Sequence, residues 1–494
     1  MSLIATLEKW IKKKKCFNQK DMIKNLEEIK KVYVIGIKGS GVIAVVEILR
    51  SMGIEVTGSD TKEKFFTDSV LKKMKIKYFE KFGTKNIPSD VDLVIYSTAY
   101  NEDNNLEWKE AKTRKLPMMS YPQILAQLFN QKYGIAVCGT HGKTTTSALL
   151  ANTLKKIGAD PSAVIGSKVA NWEGNALVGK GDIFVAEADE YQNKLSLYDP
   201  KAAILTSCDW DHPDLFKNFT DYKKVFSDFV TKIPKTGFLV VWGDSVDTLE
   251  VSESAKCEVV KYGFSEDNDV VIKIANTKIQ NEIAEKLSLE NKKSQEFRIF
   301  YKNEELGKFE TRLFGQHNIL NATAAIAVCA KLGLEMEKVR QALLDFRGTS
   351  RRFEYIGERN GAILIDDYGH HPEELKATLK TAKEIYPDKN IWAVFHPHTY
   401  TRTKALLSEF AQSFDDADKV IVLDIYGSAR EVQGGVHSSE LVELINQYNF
   451  SKAEYIPTID EVVKRLKIEI GKDDVVIAIG AGNGWEVVEK LKEK

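Results

Sequence analysis

Residues 134–147, Gly-Ile-Ala-Val-Cys-Gly-Thr-His-Gly-Lys-Thr-Thr-Thr-Ser, constrain the chain more than any other stretch. Ile135 to Cys138 form an apolar run that reads as a buried strand, and it breaks into Gly139, Thr140, His141 and Gly142. Ala148, Leu149, Leu150 and Leu154 then recur at helical spacing. Strand, glycine turn, Lys-Thr and helix is the layout of a phosphate-binding loop. Backbone N–H groups converge on phosphate oxygens there, and the helix N-terminus adds partial positive charge. Lys143 is placed to reach β/γ-phosphates and the Thr144 hydroxyl to ligate Mg²⁺. The strict pattern asks for a glycine five residues before Gly142, where this chain has Val137. A plain glycine-rich strand-to-helix turn with a surface lysine is the competing reading.

The flanking segments repeat the layout. Val32 to Ile37 read as a strand that runs into Gly36-Ile37-Lys38-Gly39-Ser40-Gly41, followed by a helix pattern through Ala44, Val45, Ile48 and Leu49. A second strand at residues 55–58 ends at Ser59-Asp60, with the acid 19 residues past Gly41. This is β-α-β with glycines at the first turn, as in doubly wound sheets that take a diphosphate. Asp60 is read either as a ribose ligand or as a strand-end cap. Leu93 to Tyr96 end in Ser97, Thr98 and Ala99, at an edge where such sheets bind ligands. Helices are expected near 104–115 and 121–131.

Past the phosphate loop, the strand Ile183 to Ala186 ends in Glu187-Ala188-Asp189-Glu190, and Ala202 to Leu205 run into Thr206 through Asp214, including Asp211 and His212. Three carboxylates at one strand end need a cation or solvent. In a parallel sheet these ends share an edge with Lys143 and Thr144, which puts Mg²⁺ ligands beside the phosphates; solvated acidic loops are the alternative. Strands are expected near 238–243 and 257–301. Asn318 and Asn321 share one helix face and read as caps or as nucleotide contacts. Gly348 to Arg352 read as a linker. The strands at 362–365, 391–395, 419–424 and 474–479 alternate with helices and end in polar residues, which predicts a third doubly wound sheet. His370, His371, His396 and His398 fit a substrate rim better than a zinc site, since no cysteine accompanies them.

The expected fold class is therefore α/β with three domains. These are a Rossmann-like N-terminal domain at 31–132, a central P-loop ATPase-type mixed sheet at 133–345, and a C-terminal Rossmann-like domain at 346–494. An extension at 1–30 precedes them, with a lysine run from Lys12 to Lys15 that reads as part of a solvated terminal helix. A net charge of −1 gives no field that favours nucleic acid or an anionic membrane. No apolar run reaches the roughly 18 residues of a transmembrane helix, and no signal peptide is visible. Five cysteines without paired spacing point to free thiols in a reducing cytoplasm.

The ordered set from Gly139-Thr140-His141-Gly142-Lys143-Thr144 through Glu187-Ala188-Asp189-Glu190, Asp211-His212, His317-Asn318 with Asn321, and Arg351-Arg352-Phe353 to Asp366-Asp367-Tyr368-Gly369-His370-His371-Pro372 resembles the Mur ligase family. The resemblance runs from Gly36 to Gly482. It is strongest toward members that join UDP-N-acetylmuramate to L-alanine in cytoplasmic peptidoglycan precursor synthesis, through an acyl phosphate. It implies ATP and Mg²⁺ as cofactors, small-molecule substrates, no nucleic acid, no membrane insertion, and a monomer or weak homodimer. By motif position it implies catalytic roles for Lys143, Glu187, His212 and Asp367. ATP contacts fall to Gly139, Thr140, His141, Gly142, Lys143, Thr144, Thr145, Asn318, Asn321 and Arg352. UDP-sugar contacts fall to Gly39, Ser40, Gly41, Asp60 and Ser97, amino-acid contacts to His371, His398 and Arg402, and metal ligation to Thr144, Glu187 and His212.

Two positions depart from the family pattern. Lys38 stands where a glycine is usual, and Thr399 stands where an arginine would grip the amino-acid carboxylate, leaving Arg402 with Arg430 as a candidate substitute. Other readings are a muropeptide-recycling ligase, a folylpolyglutamate-type ligase, a non-catalytic ATP-binding scaffold and a dinucleotide oxidoreductase.

Overall fold

The computed structural model describes residues 26–65, 67–172, 174–274, 294–427, 431, 433–449 and 451–493. Lys12 to Lys15, Cys16 and Arg430 lie outside the described residues, as does nearly all of the expected N-terminal extension.

Three sheets organise the chain. The first is wholly parallel, in the order Tyr78–Phe79, Glu55–Ser59, Lys31–Ile35, Leu93–Tyr96, Met118–Ser120. Its strand order reverses between Lys31–Ile35 and Leu93–Tyr96, the kind of crevice where doubly wound sheets bind ligands. The expected helices are present as Leu106–Thr113 and Tyr121–Asn130.

The central sheet has ten strands among the described residues. Its parallel heart places Tyr133–Cys138 between Ala202–Leu205 and Ile183–Glu187, so the three expected ligand-bearing strand ends do share one edge. Beyond Val270–Lys273 the sheet turns antiparallel through Gln295–Tyr301 and Glu304–Thr311, and Gly174–Leu177 closes the other side antiparallel to Ser162–Val169. One face of this sheet is buried by the helices Lys143–Lys156 and Gln316–Lys331. The other face shares a continuous apolar core with the first sheet: Phe129, from the helix before the phosphate loop, packs edge-on against Phe184 and Tyr198. The first two sheets are thus fused by one core rather than joined by a free linker.

The third sheet has the order Glu354–Arg359, Ala362–Asp367, Asp474–Ile479, Asn390–Phe395, Lys419–Val422, Ala453–Tyr455, with only the first strand antiparallel. Both faces carry helices and separate apolar cores. The 348–352 stretch, expected as a linker, is held against the central sheet. Ser350 N donates to Lys168 O at 2.8 Å and Ala170 N to Gly348 O at 3.1 Å. Cys138, Cys208, Cys257 and Cys329 are unpaired. No helix among the described residues is long and apolar enough to cross a membrane.

Candidate active site

A cavity of about 1160 Å³ lies where the three sheets converge. Its floor is the phosphate loop. Val137, which breaks the strict motif, is a buried strand residue paired with Ile204 and Glu187, so the loop proper begins only after Cys138. Gly139 and Gly142 have φ of +124° and +78°. A Cβ on Gly139 would meet Thr206 Oγ1 at 2.4 Å, and one on Gly142 would meet Asn321 Oδ1 at 2.4 Å. Neighbouring strand ends pin the loop: His141 N donates to Ser207 Oγ at 2.8 Å, and Thr140 Oγ1 to Asp209 O at 2.9 Å.

Lys143 curls back over this loop. Its Nζ donates to Gly139 O at 2.5 Å and Thr140 O at 2.9 Å, and it lies 3.3 Å from Glu190 Oε2. Thr144 Oγ1 donates to Glu187 Oε1 at 2.8 Å, and Glu187 Oε2 accepts from Gly166 N. Thr145 is buried under the turn. Asn321 accepts from Thr146 Oγ1 and donates to Asn318, whose own amide donates to Phe314 O. In this arrangement the two asparagines buttress the loop from behind and do not line the cavity.

A chain of alternating charges crosses the site. Arg402, from the third domain, grips Asp211 with Nε to Oδ1 at 2.7 Å and Nη2 to Oδ2 at 3.2 Å. Asp211 Oδ2 lies 3.7 Å from His212 Nε2, which lies 3.5 Å from Glu190 Oε1, and Glu190 faces Lys143. Burial alone would lift the pKa of both carboxyls. The Lys143 and His212 charges nevertheless hold Glu190 down to about 2, and Arg402 with His212 holds Asp211 well below the usual range. Burial opposes protonation of His212, but the hydrogen bond to Glu190 and the Asp211 charge raise its pKa. His212 has φ +55°, a strained backbone for a non-glycine residue and one that recurs at functional sites.

The expected metal residues separate into two groups. Thr144 and Glu187 form an oxygen-only pair suited to a hard cation. His212 groups instead with Asp189 and Glu190, whose ligand atoms all lie within 4.8 Å of one another. Glu190 was within a motif read from the sequence but carried no separate role there.

At the opposite wall, Gly39, Ser40, Gly41, Asp60 and Ser97 line the cavity. The Asp60 carboxylate accepts from Lys38 N and Thr61 N, both at 2.7 Å, so it ties the glycine turn to the end of the second strand, and burial raises its pKa. The Asn175 side chain donates to Ser40 O at 2.8 Å, fixing the start of this helix to the central sheet.

The third domain supplies the roof. Arg352 lies over the Tyr368 ring and 3.5 Å from Glu374 Oε1. Asp367, expected to face the nucleotide, points into its own domain and accepts from Phe353 N, Gly369 N and Thr378 Oγ1; its neighbour Asp366 lines the cavity. His371 caps the helix Pro372–Ile385 and bridges to Trp210 O at 3.2 Å, while His370 faces the cavity. Burial lowers the pKa of His398 to about 4, and its Nδ1 lies 3.3 Å from Arg402 Nη1. Thr399 caps the helix Tyr400–Ala405 through Arg402 N, which gives the substituted position a local role in placing Arg402.

Glu374 joins the site without any sequence motif that marks it. It accepts from His370 N at 2.9 Å and lies 3.3 Å from His141 Nδ1, linking the roof to the phosphate loop. Read alone it is an acid in a helix first turn, a common feature. Only the 3.3 Å approach to a residue more than two hundred positions away marks it.

Three family models match in succession: "Mur ligase family, catalytic domain" over residues 31–133, "Mur ligase middle domain" over 137–329, and "Mur ligase, glutamate ligase domain" over 351–482. A UDP-N-acetylmuramate–L-alanine ligase from Desulfitobacterium hafniense is 39% identical over 93% of this chain and 99% of its own length. One from Caldanaerobacter subterraneus is 38% identical over 95% and 99%. Among solved structures, the UDP-N-acetylmuramate–alanine ligase of Thermotoga maritima superposes with a TM-score of 0.74 at 25% identity, covering 93% of this chain and 98% of that one. A murein peptide ligase from Psychrobacter arcticus shares the fold at a TM-score of 0.68 and 22% identity, over 94% and 99%. With the models spanning all three sheets and relatives aligned nearly end to end, the chain belongs to the Mur ligase family.

Proposed function

We infer that this chain joins UDP-N-acetylmuramate to L-alanine, with ATP cleaved to ADP and phosphate, in peptidoglycan precursor synthesis. The observation that carries the reading is the full-length similarity to ligases of that name, together with a single cavity that contains both glycine turns and the third-domain roof. The division at 31–132, 133–345 and 346–494 assigns the UDP-sugar, the nucleotide and the amino acid to successive domains.

The chemistry follows from the residues. A carboxylate is a poor acyl donor, so phosphoryl transfer to it must precede amide formation. Charge that develops on the transferring oxygens needs fixed cations in a site sheltered from water. Lys143 supplies one: its ammonium rests on loop carbonyls, from which it can turn to a phosphate. The Thr144–Glu187 pair and the Asp189–Glu190–His212 group fit Mg²⁺, which when bound neutralises phosphate charge. Arg352 extends from the roof toward the nucleotide. Arg402, oriented by Asp211 and Thr399, stands beside His398 behind the cavity wall, and the amino-acid carboxylate reaches the pair by displacing the Arg402 contacts to His398. The amine then attacks the acyl phosphate, and phosphate leaves. A cytoplasmic setting and a monomer or weak homodimer complete the reading.

The test is phosphate release by the purified protein with ATP, Mg²⁺ and UDP-N-acetylmuramate, with L-alanine, L-serine, glycine or a tripeptide as acceptor. Highest turnover with L-alanine is expected. Preference for the tripeptide would move the chain to the recycling role, and no turnover with any acceptor would overturn the ligase reading.

A further inference from the structure

Lys38 occupies a place where a glycine was expected, and nothing in the reaction above uses it. Its side chain is 1% exposed, which is rare for a lysine. An ammonium has three donors and no acceptor. Here Thr61 O and Glu63 O, both at 2.9 Å, take two of them. Asp68 at 3.2 Å and Glu80 at 3.4 Å share the third, and the Tyr78 ring lies 5.3 Å away. No donor is left for a phosphate, so the extra cation of this turn is not a diphosphate contact.

The backbone of Lys38 is held as tightly. Its N donates to Asp60 Oδ2 and its O accepts from Thr67 Oγ1, each at 2.7 Å. Through one residue, the glycine turn is strapped to Asp60, Thr61, Glu63, Thr67, Asp68 and Glu80. The strapped segment forms the lip of the cavity: Lys64 and Phe65 line it, and Phe65 keeps 45% of its surface exposed despite being aromatic. Asp68 continues the strap, since its Oδ2 accepts from Phe65 N at 2.7 Å while its Oδ1 faces the Lys38 ammonium. An exposed ring beside a lysine, on the cavity rim in the segment that follows strand Glu55–Ser59, suits a planar base with an attached phosphate.

We propose that Lys38 is a positioning residue for the nucleoside end of the UDP-sugar: it locks residues 61–65 into a lip that presents Phe65 and Lys64 to the ligand. This rests on the ligase reading. It makes a prediction that direct diphosphate contact does not. If Lys38 acts through the lip, its loss weakens every ligand that carries the uridine by the same factor, whatever the number of phosphates.

The experiment titrates UMP and UDP into the full chain and its Lys38→Met variant by calorimetry, alongside KM for UDP-N-acetylmuramate and for ATP. Re-ordering two lip side chains on binding corresponds to a loss of about tenfold. UMP, UDP and UDP-N-acetylmuramate are expected to weaken together by that factor, with KM for ATP unchanged and kcat at saturation retained. A loss confined to UDP, unchanged affinities, or an equal loss for ATP would each overturn the assignment. Asp68→Asn loosens the same lip from a half-buried position and serves if Lys38→Met does not fold; the same pattern at about threefold is expected, and unchanged UMP and UDP affinities there overturn it too. Failure of the parent chain to bind either nucleotide would remove the ligase reading and this assignment with it. Binding by the parent with unaltered variants removes only the role of Lys38.

Discussion

The chain contains the same local layout twice, at Gly36–Gly41 and at Gly139–Thr144, and each turn carries one lysine. Their fates differ. The ammonium of Lys143 stands at the cavity wall on two loop carbonyls and a carboxylate, partners that a phosphate can replace. The ammonium of Lys38 is sealed between four oxygens of its own domain. Strand, glycine turn and helix therefore state where an anion can dock, but whether a lysine in the turn serves the anion depends on the segment packed beside it. In the phosphate loop that neighbour is a row of acidic strand ends; in the first turn it is the 61–80 stretch.

The sharpest test of this contrast is a pair of variants. Lys143→Ala is expected to lower phosphate release by about a thousandfold, because it removes a fixed cation at a developing charge. Lys38→Met leaves kcat at saturation close to that of the parent. Steady-state kinetics on both variants would erase the distinction if their kcat values fell equally.

Next in size is Gly142→Ala. The φ of +78° and the approach of Asn321 Oδ1 to 2.4 Å leave no room for a methyl group. Strain of about 1–3 kcal/mol is expected, read as tenfold or greater loss of kcat and a lowered melting temperature. A variant with parental kcat would mean that the loop tolerates displacement of Asn321.

The two regions also respond oppositely to acid. Glu190 is held down to about 2 and Asp211 well below its ordinary value, so their contribution is present above the unfolded carboxylate range and is lost as pH falls through the folded values. Asp60 is raised by burial, so its ionisation weakens the first turn as pH rises, and acid relieves it. Hydrogen exchange between about pH 5 and pH 2 is expected to rise at 187–190 and 209–212 before it rises at 31–60. The reverse order would contradict the charge chain.

The smallest effect sets the baseline. Lys156 pairs with Asp345 on the surface, with both side chains about half exposed. Lys156→Ala is expected to change stability by less than about 0.5 kcal/mol, with unaltered kinetics, in a thermal melt and a turnover assay.

The elements that position the site could be read locally. The phosphate loop, the first glycine turn and the acidic strand ends each combine an apolar run with a polar break, and those signals need no distant partner. What could not be read is what long-range packing decides. Asp474–Ile479 inserts between Ala362–Asp367 and Asn390–Phe395 although it follows both by many residues. Asp211 and Arg402 meet across 191 positions, and Glu374 meets His141 across the domain boundary. The catalytic role of Asp367 is implied by motif position alone; it closes the strand Ala362–Asp367, and three donors from its own domain take its oxygens. The fate of Lys38 could not be read either, because its burial depends on Thr61, Glu63, Asp68 and Glu80, which carry no motif.

The Arg402–Asp211 grip has a consequence for how this architecture can change over time. A domain architecture invites recombination, with one module exchanged to alter the acceptor while the other two stay. Here the middle module carries a nearly buried carboxylate whose countercharge is supplied by the third. A hybrid whose third domain lacked an arginine at that place would leave Asp211 without its partner, a loss of about 3–5 kcal/mol. The two modules are therefore bound to a common inheritance at one residue pair, and new acceptor preferences are more accessible by substitution around that pair than by exchange of the whole unit.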